Sequence, residues 1–488
     1  MALQDIALPF GEWLPDLGEN ENPGLVEAKN VIARPGGYAP VRGFDSFDSG
    51  DVPAGKIVSG AIGYPGAGGN TRFDYGTETA LYVGSTATVT PANNGIGASG
   101  INSPKWRFVQ FDNRIFAART DTTASTESHV WYHDIGATTY TNISSQGLRG
   151  NAFAKVGRFL MLGASNVTTG SAAPDGFSFR WSAFNNPLDW APSQTTQAGV
   201  ATVNSPELGV ITAIVGGRTP LLFQRHGVSR LAYVGPPLVW QVQEISRDLG
   251  AISQSSVVQV GDLVYFMSHD GLCVTDGSSV SRLGNGIVDD WLIENMGPAG
   301  AGDLITAGVL RGDRVIVWSF ALNAAIEVGS GFTMNFETHL FYSLETGRFS
   351  RGTLPTAGAF YYDAGASVNV DYVLAAGTDG THEAVSLDDD TLAAEITTGY
   401  TSLAPGRRID VTNVEPVYDG SGAKVAVNTK QTQAGAAVAG TPVAVNSLGI
   451  ADVRASGRLA AVSVTFDAGA EWSELKGAVV TGDVSGAR

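Results

Sequence analysis

The sequence predicts an all-β protein whose main domain is a β-propeller. An apolar strand, a short turn rich in Gly, Asn, Asp or Arg and a second apolar strand recur between about residues 55 and 385. The turns are separated by 44 to 60 residues, and helical periodicity is scarce. Hairpins repeated every 40–50 residues or so are typical of propeller blades.

The clearest hairpins begin at Phe108, Ala152 and Val257, and two looser ones begin at Ile211 and Ala307. Their turns contain residues that adopt positive φ at little cost, namely Asn113, Gly157, Gly217, Gly261 and Gly312. A further unit near residues 57–83 brings the expected number of blades to six. An irregular β-sandwich or a large barrel is the alternative, since the spacing is uneven.

Several blades continue into a second hairpin, with turn signals at residues 226–227, 270–271 and 276–277. The best candidate helix is NGIVDDWLIENM, which begins at Asn285 and places Ile287, Trp291 and Leu292 on one face. A helix of this length is expected to lie at the edge of a blade.

The segments on either side of the propeller, residues 51–385, differ from it in composition. Residues 1–50 are rich in Pro, Gly and acids, and we expect an extended arm that crosses to a neighbouring subunit or closes the propeller ring. Residues 386–488 begin with an acidic break and continue with alternating apolar stretches. They predict a small antiparallel β-sandwich.

The charge composition favours interfaces over nucleic-acid binding. Charged residues make up 16% of the chain, against about 25% in an average soluble protein, so uncharged surfaces are available for subunit contacts. Acids outnumber bases by 47 to 30, for a formal charge of −17. This balance argues against a surface that holds DNA through its phosphates, but it suits a wall that DNA slides past.

Cys273 is the only cysteine, so neither a disulfide framework nor a cysteine zinc site is expected. The first residues lack the basic and apolar regions of a signal peptide. No uninterrupted apolar run approaches the length of about 18 residues that a membrane span needs. We therefore expect folding in a reducing cytoplasm and no membrane span.

Four segments, taken in order, resemble the tail-nozzle proteins of short-tailed bacteriophages. They are NPGLVEAKNVIARPGGYAPVRGF from Asn22, RWSAFNNPLDW from Arg180, ISRDLGAISQSSVVQVGDLVYFMSHDGL from Ile245, and the C-terminal stretches that begin at Thr397 and Val453. The resemblance spans most of the chain, although residues 50–100 and 120–145 take no part in it.

The resemblance implies a structural virion protein of the phage tail, assembled in the host cytoplasm. Six copies would form a ring below the adaptor ring and the portal, extend the DNA ejection channel and help to retain packaged DNA. Tail fibres or spikes would attach outside, and genomic DNA would pass without specific binding, so no nucleic-acid-binding residues are assigned. The alternative is a host-receptor or glycan-binding propeller at the tail tip, which would contact the host outer surface.

A glycan hydrolase is the third possibility, because propellers also carry sialidases and phage tails carry such enzymes. Hydrolysis needs a pair of carboxylates, but 47 acids make such pairs uninformative. The repeated Ser-x-Asp-x-Gly-x-x-Trp turns of sialidase blades are absent, and residues 268–271 match them only in part. We therefore expect that the chain is not an enzyme.

No residue is assigned a catalytic, cofactor-binding or metal-binding role, and no cofactor is expected. The histidines lack the spacing of a metal pair and are expected at the surface or in turns: His129, His133, His226, His269, His339 and His382. The loop from Gly63 lacks a phosphate-binding lysine, residues 311–313 fill a hairpin turn, and residues 388–390 suit a solvated linker better than a calcium loop. The tryptophans are expected in the core between blades, including Trp181 and Trp190.

Overall fold

A computed structural model of the 488-residue chain describes most of the sequence. No helix in this part is long and apolar enough to cross a membrane. The described residues are 3–20, 22–46, 58–66, 71–77, 80–84, 86–89, 105–120, 128–143, 147–166, 175–296, 305–320, 338–354, 356–358, 372–376, 382–387, 389–403 and 407–485.

The N-terminal segment contains five short strands. They are β1 (Leu3–Pro9), β2 (Leu25–Lys29), β3 (Val31–Arg34), β4 (Gly37–Pro40) and β5 (Asp45–Ser46).

The next part of the chain forms antiparallel sheets of four strands each, which are the blades of the propeller. Blades 1 to 3 consist of β6 (Val58–Pro65), β7 (Thr71–Thr77), β8 (Leu81–Val83) and β9 (Thr86–Val89); β10 (Lys105–Phe111), β11 (Arg114–Thr120), β12 (Val130–Asp134) and β13 (Thr141–Asn142); and β14 (Ala152–Val156), β15 (Phe159–Gly163), β16 (Ser178–Trp181) and β17 (Gly199–Thr202).

Blades 4 to 6 repeat the same meander, with helix α1 (Asp289–Asn295) after blade 5. Their strands are β18 (Ile211–Val215), β19 (Leu221–Gln224), β20 (Gly227–Gly235) and β21 (Val239–Ser246); β22 (Val258–Val260), β23 (Leu263–Ser268), β24 (Gly271–Thr275) and β25 (Val280–Arg282); and β26 (Ile305–Leu310), β27 (Val315–Phe320), β28 (Thr338–Ser343) and β29 (Phe349–Gly352).

Blade 7 contains strands from two distant parts of the chain. Its first three strands are β30 (Thr356–Gly358), β31 (Tyr372–Ala376) and β32 (His382–Ser386). The fourth is β5, whose Ser46 and Asp45 pair with Val385 and Ser386. This pairing ties the beginning of the propeller sequence to its end.

The seven blades of the described chain form a closed ring. The first strands of neighbouring blades contact each other, β6 with β10, β10 with β14, and β14 with β18, and β30 contacts β6. The predicted all-β propeller is thus confirmed, with one blade more than the six expected. Blade 7 was not predicted because β31 begins at Tyr372, well beyond the end of β30 at Gly358, and because its last strand, β5, lies far away in the sequence.

The blades bury both of their faces against each other. In β15, Phe159 and Met161 pack in the cluster shared with blade 4, whereas Leu160 and Leu162 pack in the cluster shared with blade 2. Side chains alternate between the two faces of a strand, so a strand between two blades is apolar at every position. This explains the continuous apolar runs that the sequence shows.

The C-terminal residues form a β-sandwich together with strands of the N-terminal segment. Its strands are β33 (Ala394–Thr398), β34 (Arg408–Gly420), β35 (Ala423–Lys430), β36 (Val443–Ala444), β37 (Ala455–Gly457), β38 (Leu459–Phe466) and β39 (Trp472–Ser485). One sheet has the order β2-β33-β38-β35-β36, and the other has the order β3-β4-β39-β34-β37 with β1 on β39. Their facing sides meet in one apolar core, which includes Ile396, Val425, Val464 and Val480.

The N-terminal segment is therefore part of both domains of its own chain. The expectation that it closes the propeller ring is confirmed by β5, whereas the extended arm is corrected, because the segment forms paired strands. The strand β1 pairs with β39 along its whole length. The same segment supplies β2, β3 and β4 to the sandwich and β5 to blade 7. Its polar composition suggested an arm, but its apolar residues, such as Leu25, Val31 and Tyr38, are fully buried.

One continuous nine-stranded sheet joins blade 6 to the sandwich. The strand β2 lies between them: it pairs with β33 on one side, and Lys29 pairs in parallel with Arg351 of β29 on the other. Both guanidinium nitrogens Nε and Nη2 of Arg351 donate to the carboxylate of Glu27, at 2.7 and 2.6 Å. The two domains thus share a sheet and an ion pair.

Asn30 follows β2 and makes hydrogen bonds to both neighbours of the joint. Its side-chain amide donates to the carbonyl of Ala393 at 2.7 Å, and its Oδ1 accepts the backbone N–H of Thr353 at 2.7 Å. Its own N–H donates to the carbonyl of Arg351 at 2.7 Å. The residue is buried and has a φ of 56°, a left-handed conformation that Asn tolerates better than most residues.

We predict that Asn30→Ala destabilises the protein by about 3 kcal/mol, because it leaves the N–H of Thr353 and the carbonyl of Ala393 without partners and adds left-handed strain. Asn30→Gly removes the strain, so it should cost about 1 kcal/mol less. The measurement is the free energy of unfolding by denaturant titration.

The control is Asn185→Ala. Asn185 also has positive φ, at 57°, but is exposed, so this change should cost only about 1 kcal/mol. Equal losses for the two alanine variants would contradict a special role for Asn30.

Candidate functional site

The first strands of the blades surround the propeller axis and carry few charges. None of their seven ranges contains Asp or Glu, and their charged residues are Lys105, Arg107 and Lys155. Glycoside hydrolysis uses two carboxyl groups beside the scissile bond. A hydrolytic site on the axis would therefore need carboxylates from later strands or from loops.

A buried polar cluster lies between blades 1 and 2. The carboxylate of Asp74 accepts a hydrogen bond from the hydroxyl of Tyr64 at 3.0 Å and one from that of Tyr140 at 2.7 Å. The Nε2 of His133 lies 2.7 Å from the same carboxylate. All four side chains are buried, so the cluster connects the two blades and does not face a ligand.

His133 also contacts the backbone. Its Nδ1 lies 2.8 Å from the carbonyl oxygen of Asp134, so both ring nitrogens face acceptors. Burial lowers the pKa of His133, but the hydrogen bond and the charge of Asp74 outweigh it, and the pKa is raised above 6.5. The charged imidazolium is thus the form that this cluster stabilises.

Two further histidines are buried and neutral. Burial, with Arg119 and Arg149 nearby, lowers the pKa of His129 to about 3. Burial lowers that of His339 to about 4, and its two ring nitrogens meet the hydroxyl of Ser319 and the carbonyl of Leu354. The expectation of surface or turn positions is wrong for these two and for His133. His133 and His339 lie on strands with apolar neighbours, and His129 directly precedes the buried strand β12.

The other predicted positions are distributed as follows. His226 and His269 lie in neighbouring turns with their rings 5.5 Å apart, while the side chain of His382 lies outside the described part. Trp181 and Trp190 are buried between blades. Asp313 forms an ion pair with Arg34 of β3, so the turn at residues 311–313 contacts the N-terminal segment.

The sequence analysis weighed two segments as ion sites, the glycine-rich loop from Gly63 and the acidic residues 388–390. The described residues contain no group of three His, Cys, Asp or Glu that would hold a metal ion. Asp388 and the second half of the loop from Gly63, residues 67–70, lie outside them.

An open pocket lies between blades 3 and 4, and we call it the blade 3–4 pocket. It is formed by Gly157 in the first turn of blade 3, by residues 217–220 in the first turn of blade 4, and by residues 230–233 and Trp240 of the β20–β21 hairpin. Its volume is about 360 Å³, which lies in the range of small-molecule sites.

Aromatic rings form one wall of this pocket. Trp240 contacts Tyr233 and Phe159, with ring centroids 5.5 and 5.4 Å apart. Tyr233 is half exposed and donates from its hydroxyl to Gln197 at 2.7 Å, which holds the hairpin against blade 3. The indole N–H of Trp240 is buried and has no acceptor among the described residues.

The charged groups that line the pocket are both cationic. Arg230 donates from Nε to Gln243 at 3.2 Å, and its Nη1 makes no hydrogen bond within the described chain. Arg218 is 85% exposed and its nearest carboxylate oxygen, on Asp262, is 3.8 Å away. No Asp or Glu belongs to the described lining. Arg218 is paired with Asp262 at its edge, so Arg230 is the lining cation that has no carboxylate partner among the described residues.

The sequence analysis missed this pocket. A signal was present in the hairpin GVSRLAYVGPPLVWQVQE from Gly227, where apolar residues flank two prolines. Val234 and Leu238, on either side of the cis Pro236–Pro237 bond, are 50% and 58% exposed. Apolar residues at a protruding turn indicate a binding surface more often than a core.

Comparisons with known proteins do not identify a family. No family model and no curated protein match the chain. Similar solved structures include the extracellular domain of a putative one-component system from B. thetaiotaomicron, with 10% identity over 82% of this chain and 48% of that chain and a TM-score of 0.41. The exo-beta-1,3-galactanase of Phanerochaete chrysosporium is 11% identical over 87% of this chain and 100% of the other, with a TM-score of 0.28.

The prediction that the chain is not an enzyme is wrong, because it was argued from the absence of sialidase turns. A glycoside hydrolase family 43 arabinoxylan arabinofuranohydrolase from Bacillus subtilis is also similar, with 11% identity over 87% of this chain and 79% of the other and a TM-score of 0.23. Hydrolases are thus among the structures that this fold resembles, so a propeller without sialidase turns does not exclude catalysis. Similarity at these TM-scores assigns no activity either.

We predict that the stabilising contribution of His133 falls as pH rises. Because the folded-state pKa is raised above 6.5, the charged imidazole stabilises the fold below about pH 6 and this gain is lost above the folded pKa. The difference in unfolding free energy between wild type and His133→Gln should therefore be larger near pH 6 than near pH 9.

His339→Gln is the matched control with the opposite sign: the pKa of His339 is lowered to about 4, so the folded protein keeps this imidazole neutral at pH 6, whereas the unfolded chain protonates it near pH 6.5. The cost of His339→Gln should therefore be smaller near pH 6 than near pH 9. A pH-independent cost for His133→Gln would show that Asp74 does not hold a charged imidazole.

Proposed function

We propose that this protein is a structural subunit of the tail nozzle of a short-tailed bacteriophage, located in the virion tail. Copies of the chain would form a ring, with six subunits, that extends the DNA ejection channel below the adaptor and carries fibres or spikes outside. Assembly would take place in the host cytoplasm.

The observation that carries the proposal is the position of the segment from Asn22 to Phe44, whose sequence resembles the nozzle proteins. Asn22 accepts the N–H of Gly24 at 2.9 Å and donates to the carbonyl of Leu14 at 2.9 Å. A Cβ on Gly24 would lie 2.1 Å from the carbonyl oxygen of Glu12. Tyr38 donates to the carbonyl of Gly11 at 2.8 Å.

These contacts hold residues 11–38 of the N-terminal segment together. The same resembling stretch contains Glu27 and Asn30, which bond to Arg351 and Thr353 of the propeller at its joint with the sandwich. A ring subunit needs such a rigid body, because a closed ring forms only when each copy presents two surfaces at a fixed angle.

A candidate ring contact is the tip of the β20–β21 hairpin. Val234 and Leu238 are exposed there, and Tyr233 fixes the hairpin to blade 3 through Gln197. We propose that this tip packs on a neighbouring copy of the chain, since apolar residues that protrude from a charge-poor surface are buried on assembly.

A second candidate function is glycan binding by the propeller at the tail tip. The specific observation in its favour is the blade 3–4 pocket, which combines exposed aromatic surface with polar groups. This function requires no ring.

The test of the nozzle proposal is the addition of purified protein to nozzle-deficient phage particles, with imaging by negative-stain electron microscopy. We expect a six-fold ring at the portal vertex. Val234→Ser with Leu238→Ser should lower the fraction of particles that gain a ring by about tenfold, since each apolar side chain contributes about 1 kcal/mol or more when buried.

Leu448→Ser is the matched control, because Leu448 is 78% exposed on the sandwich and far from the hairpin in sequence. Its particles should gain rings as wild type does. Wild-type protein that remains as isolated propellers beside bare portal vertices would overturn the nozzle proposal. Rings that form equally well with the hairpin variant would overturn the proposed contact.

A further inference from the structure

We propose that the blade 3–4 pocket binds a sugar residue that carries a carboxylate, such as a uronic or sialic acid of a host surface polysaccharide. The inference deepens the second candidate function and rests on it. Its test does not require ring assembly.

The cationic groups of the pocket select for a negative ligand. Arg218 and Arg230 both line the pocket, and no carboxylate lines it in the described chain. Arg230 is oriented by its two hydrogen bonds to Gln243, so its Nη1 is presented without a partner of its own. A guanidinium held in this way binds a carboxylate through charge-assisted hydrogen bonds.

The aromatic wall selects for a ligand with an apolar face. Tyr233 exposes half of its surface while Trp240 and Phe159 pack against its ring. Sugar rings present C–H groups on one face and hydroxyls at the edge, so they stack on such a ring and still make polar contacts. Residues 217–220 also line the pocket and add polar backbone groups for these contacts.

The size and the charge of the surroundings exclude a nucleic acid as the ligand. The volume of about 360 Å³ suits one or two sugar residues. Single-stranded nucleic acid needs a basic groove several nucleotides long, whereas acids such as Asp112 and Asp262 lie in the turns on both sides of the two blades. A local pair of arginines in an acidic protein matches a ligand with one or two charges.

The experiment is isothermal titration calorimetry of the full chain with four saccharides. The acidic probes are 3′-sialyllactose and a galacturonate tetrasaccharide, and the neutral counterparts are lactose and a galactose tetrasaccharide. We expect at least one acidic probe to bind with a Kd of about 1 mM or tighter and its neutral counterpart to bind at least about tenfold more weakly.

Variants locate the site. Arg230→Gln and Tyr233→Ala should each weaken binding of the acidic probe by about tenfold or more. The control is Arg247→Gln: Arg247 is an exposed arginine paired with Glu207 and Glu244, outside the pocket lining. It should bind as wild type does, and thermal melting verifies that each variant is folded.

Three results with saccharides would overturn the inference. They are equal binding of acidic and neutral saccharides, wild-type binding by Arg230→Gln, and absence of any acidic-probe binding below about 10 mM. Inorganic phosphate that binds as tightly as the acidic probe would also overturn it, because the aromatic wall would then contribute nothing.

The failures of the two proposals are distinguishable. If Arg230→Gln loses saccharide binding but forms rings on phage particles as wild type does, the result supports the sugar-binding proposal and does not bear on the nozzle proposal. Rings from wild-type protein that binds no acidic saccharide would leave the nozzle proposal intact and remove this inference.

Discussion

The relative orientation of the two domains depends on the joint at β2, where Asn30 is buried beside the ion pair of Glu27 with Arg351. The backbone N–H of Asn30 donates to Arg351, and its side chain bonds to Thr353 of the propeller and to Ala393 before the sandwich. Buried backbone groups left unpaired cost free energy, so these bonds favour the observed joint. The propeller and the sandwich therefore have one relative orientation at this joint. The nine-stranded sheet continues from β2 into blade 6 on one side and into the sandwich on the other.

This constraint gives the N-terminal segment a structural role in both domains. It closes blade 7 with β5 and completes the sandwich with β1 to β4. The strand β5 precedes blade 1 in the sequence and completes blade 7. It therefore connects the first and last blades directly through the chain, which packing between these blades alone would not do. The rigid body that results holds the β20–β21 hairpin and its pocket at a fixed place relative to the sandwich.

Turn chemistry and strand pattern made the propeller predictable. The turns at Gly157, Gly217 and Gly261 have positive φ, as their glycines indicated, whereas in blades 2 and 6 the positive φ falls on Asp112 and Arg314. A glycine in a short turn indicates a residue with positive φ. Hairpins between neighbouring strands could therefore be predicted from the sequence. The seventh blade was missed because its closure pairs residues more than 300 positions apart, which no local pattern encodes.

The sequence by itself determined the strands, the tight turns, the charge of the chain and the division between propeller and C-terminal sandwich. Only the tertiary structure decided where the N-terminal segment lies, which histidines are buried and charged, and that Tyr233, Trp240 and Arg230 share a pocket. The physical reason is the distance along the sequence between the residues that interact. Turns and strands follow from neighbouring residues, whereas a joint, a buried ion pair or a pocket exists only when distant strands pack together.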